Sequence, residues 1–166
     1  TDSVFTFTCQ FTPQASASPI LTFAEVQQAS SGHWQNYWTQ GAVADFSQCT
    51  DVRAKELERR VVLSQYLLAI QCAGSTPPQE TGLTYNSWFG KFHLEMIWWH
   101  QAQFALWGHP ELLDRTLAWY HQAEPVAREI AQRQGFEGIR WMKMTDPSGM
   151  EAPSNVGSSL SGSSHI

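Results

Sequence analysis

The run "VRAKELERRVVLSQYLLAIQCAG" at residues 52–74 changes character along its length. Its first half is dense in charge, and its second half is apolar on every side of a helical wheel. A helix of this kind enters from solvent and ends inside a larger body, so the chain must surround its second half with other helices. Asp51 stands where it can cap the start, and Gly74 is the expected stop.

The other local signals fit a helical chain. Thr22-Phe23-Ala24-Glu25 reads as a capping box, and Phe23, Val26, Trp34, Tyr37 and Trp38 continue at helical spacing, with Gly32 as a weak point. "QGAVADFSQCTD" reads as a loop, and "STPPQETGLTYN" as a rigid polar one. A third helix is expected from the stretch "NSWFGKFHLEMIWWH" to Gly108, and a fourth from Pro110 to Gly135, with a kink at Pro125. Two segments depart from helix. In "SVFTFTCQF" (residues 3–11), Phe5, Phe7, Cys9 and Phe11 alternate with Thr6, Thr8 and Gln10, the period of a half-buried strand that must pair with strands elsewhere. From Phe136 onward the chain reads as extended and loop-like, and "SSLSGSSHI" is low-complexity with no reason to fold.

The expected organisation is a strand at 1–12, a linker and connecting helix at 13–51, a helical body at 52–157 and a disordered tail at 158–166. The chain begins at Thr1 with neither a methionine nor a signal-peptide pattern, so it is expected to be cut from something longer. With 42% hydrophobic and 15% charged residues, the composition is globular. A net charge of −5 supplies no basic stripe for nucleic acid. No apolar run approaches the roughly 20 residues of a membrane span. Cys9, Cys49 and Cys72 form no CxxC pair and read mainly as small buried residues, with one bridge open if the protein is exported.

The eight tryptophans are the compositional excess, and three of them crowd residues 86–100 together with Lys91, His93 and Glu95. On a wheel started at Trp88, one sector of about 100° holds Lys91, Glu95, Trp98, Trp99 and Ala102. His93, Ile97, His100 and Phe104 share a different side, which reads as packing. Lys91 and Glu95, at i and i+4, could be a helix-surface pair contributing only about 0.2–0.5 kcal/mol. A site in which indoles stack on sugar rings while carboxylate and ammonium groups hold hydroxyls accounts better for so much aromatic surface beside charge. His93-Leu94-Glu95 lacks the Pro-Cys-x-x-Cys partner of a zinc deaminase, so no metal is expected, and His93 and His100 read as packed histidines. Ser64 and Ser87 have no evident base, and no glycine-rich phosphate loop exists, so no cofactor is expected. Glu80 and Glu151 sit in Pro/Gly-rich loops adjoining this stretch in sequence.

The combination of "PPQETGL", "SWFGKFHLEM" and "GFEGIRWMKM" resembles the central region of bacterial six-hairpin glycosidase-like proteins, distant relatives of the trehalose, maltose and kojibiose phosphorylases and acid trehalases. The resemblance covers most of residues 1–157. It implies a mainly α fold: the N-terminal part of an (α/α)6 toroid of helical hairpins, preceded by one strand of a β-sandwich, and an incomplete barrel. It implies a carbohydrate partner and a periplasmic or secreted location. It also implies a site at one barrel mouth, with Glu95 and Glu151 as candidate catalytic carboxylates and Gln79, Glu80, Asn86, Trp88, Lys91, Trp141 and Lys143 as candidate sugar ligands. Where the phosphorylase relatives carry a Trp-Asp pair, this chain has "FHLEM". Their general acid lies on a later barrel segment, so the chain is expected to be a fragment with little activity alone, prone to self-association through uncovered apolar surface. A shifted reading frame through Leu160–Ile166 can read Ile-Trp-Gln-Gln-Pro-His, a run expected in these relatives. The alternative is a non-catalytic helical module that binds carbohydrate or protein.

Overall fold

A computed structural model describes residues 3–5, 7–12, 14, 19–82, 85, 88–152 and, for the backbone alone, 163–164. The chain is mainly helical and divides into two compact units, residues 1–42 and 43–166.

The first unit is built around α1 (Phe23–Gln40). Its start follows the sequence: the Thr22 hydroxyl accepts the Glu25 N–H, and the Glu25 carboxylate accepts the Thr22 N–H at 2.7 Å. These bonds hold the Glu25 carboxyl below its ordinary value, the backbone bond contributing most. The helix runs through Gly32, where a Cβ would meet nothing. Trp34, Tyr37 and Trp38 pack ring against ring along it. Among the described residues of 3–11 no strand pairing is present, and Phe5, Phe7 and Phe11 are exposed. Period-two alternation supplies a face to bury but not the neighbouring strand that would cover it.

In the second unit, α2 (Ala54–Cys72) begins slightly later than Asp51 suggested. The Asp51 carboxylate accepts the Arg53 N–H at 2.9 Å, and its carbonyl receives the Ala54 N–H. The end of α2 is held from outside. Gln101 Nε2 donates to the Cys72 carbonyl at 3.0 Å, Arg115 to Ala73 at 3.0 Å, and the Thr116 hydroxyl to Gly74 at 2.8 Å. Gln101 Nε2 also donates to Thr116 Oγ1. Three carbonyls at a helix end, which lack intrahelical partners, are thereby satisfied. Thr116 and Gln101 are themselves fully buried, and a valine at 116 would keep the shape and delete this hydroxyl. Thr116→Val is expected to cost about 1–3 kcal/mol in chemical denaturation.

The expected third helix is broken. Trp88, Phe89 and Gly90 all take positive φ (50°, 61° and 67°) in a short 3-10 turn. Then come β1 (Phe92–His93), a 3-10 turn at Leu94–Met96, a π-helical stretch at Trp98–Ala102 and α3 (Gln103–Leu106). The N–H groups of His93 and Leu94 bond to the carbonyls of Pro78 and Lys143, so long-range pairing displaced the i−4 bonds that a helix needs. α3 closes with Gly108 at φ 81°, where the His109 N–H reaches back to the Phe104 carbonyl.

α4 (Pro110–Arg133) carries Pro110 at its first position and runs on through the exposed Pro125. Gly135, at φ 81°, ends it, with the Phe136 N–H on the Ala131 carbonyl. Leu112, Thr116, Trp119, Ala123, Ala127 and Ile130 form one buried stripe at helical spacing. Beyond it lie β2 (Trp141–Met142) and β3 (Met144–Thr145). β3 pairs antiparallel with β1, and β2 pairs with β4 (Ser163–Ser164). Those two serines fall within the segment expected to be a disordered tail, and their backbone pairs with Trp141 and Met142. The rest of 158–166 lies outside the described residues.

Of the cysteines, Cys72 is buried and its thiol is pushed up to about 11 by burial. Cys9 and Cys49 are exposed, against expectation, and all three are free. Among the described residues, no helix is long and apolar enough to cross a membrane.

Candidate functional site

Single bridges widen the β1–β3 pair on both sides. Gln79 pairs with Phe92, and Glu151 pairs with Thr145. The order across this small sheet is therefore Gln79, β1, β3, Glu151. Two parts of the chain, 79–93 and 144–151, meet on it, and each of its four segments carries or adjoins a candidate residue.

The sheet is fixed from α4. Trp119 is buried, its Nε1 donates to the Pro147 carbonyl at 3.0 Å, and its ring meets Phe92 at 5.6 Å and Trp141 at 6.2 Å. The turn that joins β3 to Glu151 is shaped by Asp146, whose carboxylate accepts the Ser148 N–H and hydroxyl. Gly149 takes φ 86° there and sits so close to α4 that a Cβ would stand 2.9 Å from that of Ala123. Glycine is required on both counts.

Lys143 Nζ lies 2.9 Å from Glu95 Oε1, with both side chains about one-third exposed. The pairing of Lys91 with Glu95 is thus corrected. Lys91 instead lies over the Phe89 ring at 5.3 Å, because the wheel that put it beside Glu95 assumed a helix that the chain does not form. Glu80 Oε2 is 3.9 Å from His93 Nε2, and Trp88 lies edge-on to the same imidazole at 6.3 Å. Gln79 Nε2 donates to the Gly82 carbonyl. Trp141, half-buried, packs against Trp119 and Tyr120 beside the core cluster. Burial there pushes the Tyr120 phenol well up. Asn86 lies outside the described residues.

Sequence reasoning missed the partnership of Glu95 with Lys143, which no local spacing could reveal, and the place of His93 between Glu80 and Trp88. His93 and His100 are buried, as packed histidines should be. Burial is the main cause that holds the His100 imidazole below its ordinary value of 6.5, and His93 adds to it. The hydrogen bond that the His100 ring donates to the Glu80 backbone carbonyl, and the Glu80 charge, oppose it. A histidine depressed in the fold contributes stability that is fully present above the unfolded value and is lost as pH falls from there through the folded value. The melting temperature is therefore expected to drop as pH is lowered from about 7 to about 5, and His100→Gln should flatten that slope even if it lowers the whole curve.

Among the described residues, no cluster of three or more His, Cys, Asp or Glu side chains could hold a metal ion. What the arrangement offers is a carboxylate–ammonium pair, a second carboxylate at the opposite sheet edge and several exposed indoles. Trp98 and Trp99 are 72% and 63% exposed. Compared with known proteins, the chain matches no family model, no curated protein and no solved structure.

Proposed function

We propose that this chain carries part of a carbohydrate-binding site, and that its helices are the first hairpins of an (α/α)6 toroid of a glycosidase-like protein. The observation that carries the reading is the partly exposed Lys143–Glu95 pair beside a sheet flanked by Gln79 and Glu151, with Trp98 and Trp99 exposed at the start of the π-helical stretch that follows. A sugar presents apolar C–H faces and directional hydroxyls. Indoles stack on the first, while a carboxylate accepts from and an ammonium donates to the second. Gln79 also lines a groove of about 280 Å3 between the end of α2 and the loop at 76–82. The toroid finds support on α2, where Leu63, Tyr66, Leu67 and Ile70 fall at i, i+3, i+4 and i+7 and remain partly exposed, a stripe suited to a neighbouring helix.

Titration with neutral mono- and disaccharides, followed by tryptophan emission, is expected to give a saturable change that Trp99→Ala weakens. No change with any sugar up to about 100 mM, well above the roughly millimolar range of weak specific binding, would remove the reading. The same α2 stripe supports a second reading, a non-catalytic helical module that contacts protein. Leu67→Glu would then abolish partner binding or self-association while any sugar response stayed intact.

A further inference from the structure

Phe5, Phe7 and Phe11 are 87%, 75% and 92% exposed, and every other described residue from Ser3 to Thr12 is exposed as well. The Phe5 and Phe7 rings lie 6.1 Å apart, on one side of the chain, as residues two apart on a strand do. The segment holds no charge, glycine or proline before Pro13. It therefore lacks the lysines, inward charges and prolines that keep an open strand from pairing with another chain. Pro13 has no N–H to give to a ladder, so pairing ends at Thr12.

We propose that residues 4–12 form an antiparallel strand pair with the same residues of a second copy of this chain. The sequence is complementary to itself. Centred on Thr8, the pairing sets Phe5 against Phe11, Phe7 against Cys9 and Thr8 against its own copy, and the two-fold axis repeats each contact. The odd-numbered residues stay on one face, and two aromatic pairs form across the strands. Centring the pair on Phe7 instead would set Phe11 against Ser3. Centring it on Cys9 would set Phe5 against Pro13. Only the Thr8 register places all three phenylalanines opposite a residue of the other phenylalanine-bearing face.

The area fits such a partner. An aromatic side chain can bury about 150–250 Å2, so the three phenylalanines offer on the order of 400–600 Å2 per copy. Each partner in a stable interface gives up about 800 Å2, and the paired backbone edge supplies much of the difference. A patch of this size is larger than a monomer ordinarily leaves uncovered. A two-stranded ribbon still shows its phenylalanine face, and a second ribbon laid against it closes that face. The pairing is independent of what the candidate site binds.

The test is the mass in solution, followed by sedimentation through the roughly micromolar range. It should rise from the 18.7 kDa of one chain to that of two chains, or of four as ribbons stack. Phe7→Lys should return it to one chain, whereas Leu67→Glu on α2 should leave it unchanged. Both side chains are exposed in the single chain, so neither change disturbs its fold. Register is read by cross-linking Thr8→Cys in a chain that also carries Cys9→Ser and Cys49→Ser. Opposed residues of an antiparallel pair have Cα atoms about 4.5–5.5 Å apart, within the roughly 4.4–6.8 Å that a disulfide spans. Air oxidation should therefore link two copies through position 8. Cys9 in a Cys49→Ser chain, two positions out of register with its own copy, should link far less. The pairing is overturned by a mass that stays at one chain, by a mass that Phe7→Lys does not lower, or by equal linkage through positions 8 and 9.

Discussion

Replacing Trp119 with alanine is expected to destabilise the protein by about 3–5 kcal/mol, a large fraction of the roughly 5–15 kcal/mol that holds an ordinary domain together. The side chain combines three contributions. It is 5% exposed within the cluster of Leu94, Ala123, Phe92, Tyr120 and Trp141, so truncation opens a cavity in close-packed surroundings. Its ring makes edge and tilted contacts with Phe92, Tyr120 and Trp141, each aromatic pair contributing about 0.5–1.5 kcal/mol beyond burial. Its indole N–H satisfies the Pro147 carbonyl in the turn between β3 and Glu151. Trp119→Phe retains most of the packing but deletes that bond, so it should cost less, by the measure of chemical denaturation. Because Trp119 ties α4 to the segment bearing Lys143 and Glu151, Trp119→Ala should also lose any ligand response seen in the parent. A loss below about 1 kcal/mol would mean that the cluster is not the keystone of this unit.

What could be read from the sequence was whatever lies within one turn of its cause. Thr22 and Glu25 announced α1 because both halves of a capping box sit three residues apart. Pro110 and Gly135 bracketed α4 because one residue fixes φ and the other tolerates left-handed backbone. Residues 88–102 were illegible for the opposite reason. Their aromatic spacing fits a helix well enough, but Gly90 and the carbonyls of Pro78 and Lys143 redirect the backbone into β1. A wheel drawn through such a break groups residues that never share a face. Phe5, Phe7 and Phe11 carry a period-two pattern, but a strand needs a neighbour that the pattern does not name. In the candidate site, Gln79, Glu80, Glu95, Lys143 and Glu151 were singled out from loops and motifs, and the sheet draws their segments together. Their pairing, Glu95 with Lys143 and Glu80 with His93, rests on contacts across the chain that no local period encodes.

Glu95→Gln separates a binding role from a structural one. The change preserves shape and removes charge, so the Lys143 ammonium keeps an oxygen acceptor but loses its ion pair. Both side chains are partly exposed, and solvent reduces such a pair to about 0–1 kcal/mol of stability. The melting temperature should therefore move little. A sugar hydroxyl donating to the carboxylate makes a charge-assisted bond of about 1.5–3 kcal/mol, so sugar affinity should fall roughly ten- to a hundredfold. Lys143→Met supplies the control. It breaks the same ion pair yet leaves Glu95 its carboxylate, and it should weaken binding less if Glu95 is the principal acceptor. The quantities to compare are the dissociation constant for the best-binding sugar and the melting temperature, in the parent and in both variants. If Glu95→Gln binds sugar as tightly as the parent while its melting temperature falls, Glu95 is a structural partner of Lys143. The carbohydrate site would then have to be sought around Glu151 and Gln79 at the two edges of the sheet.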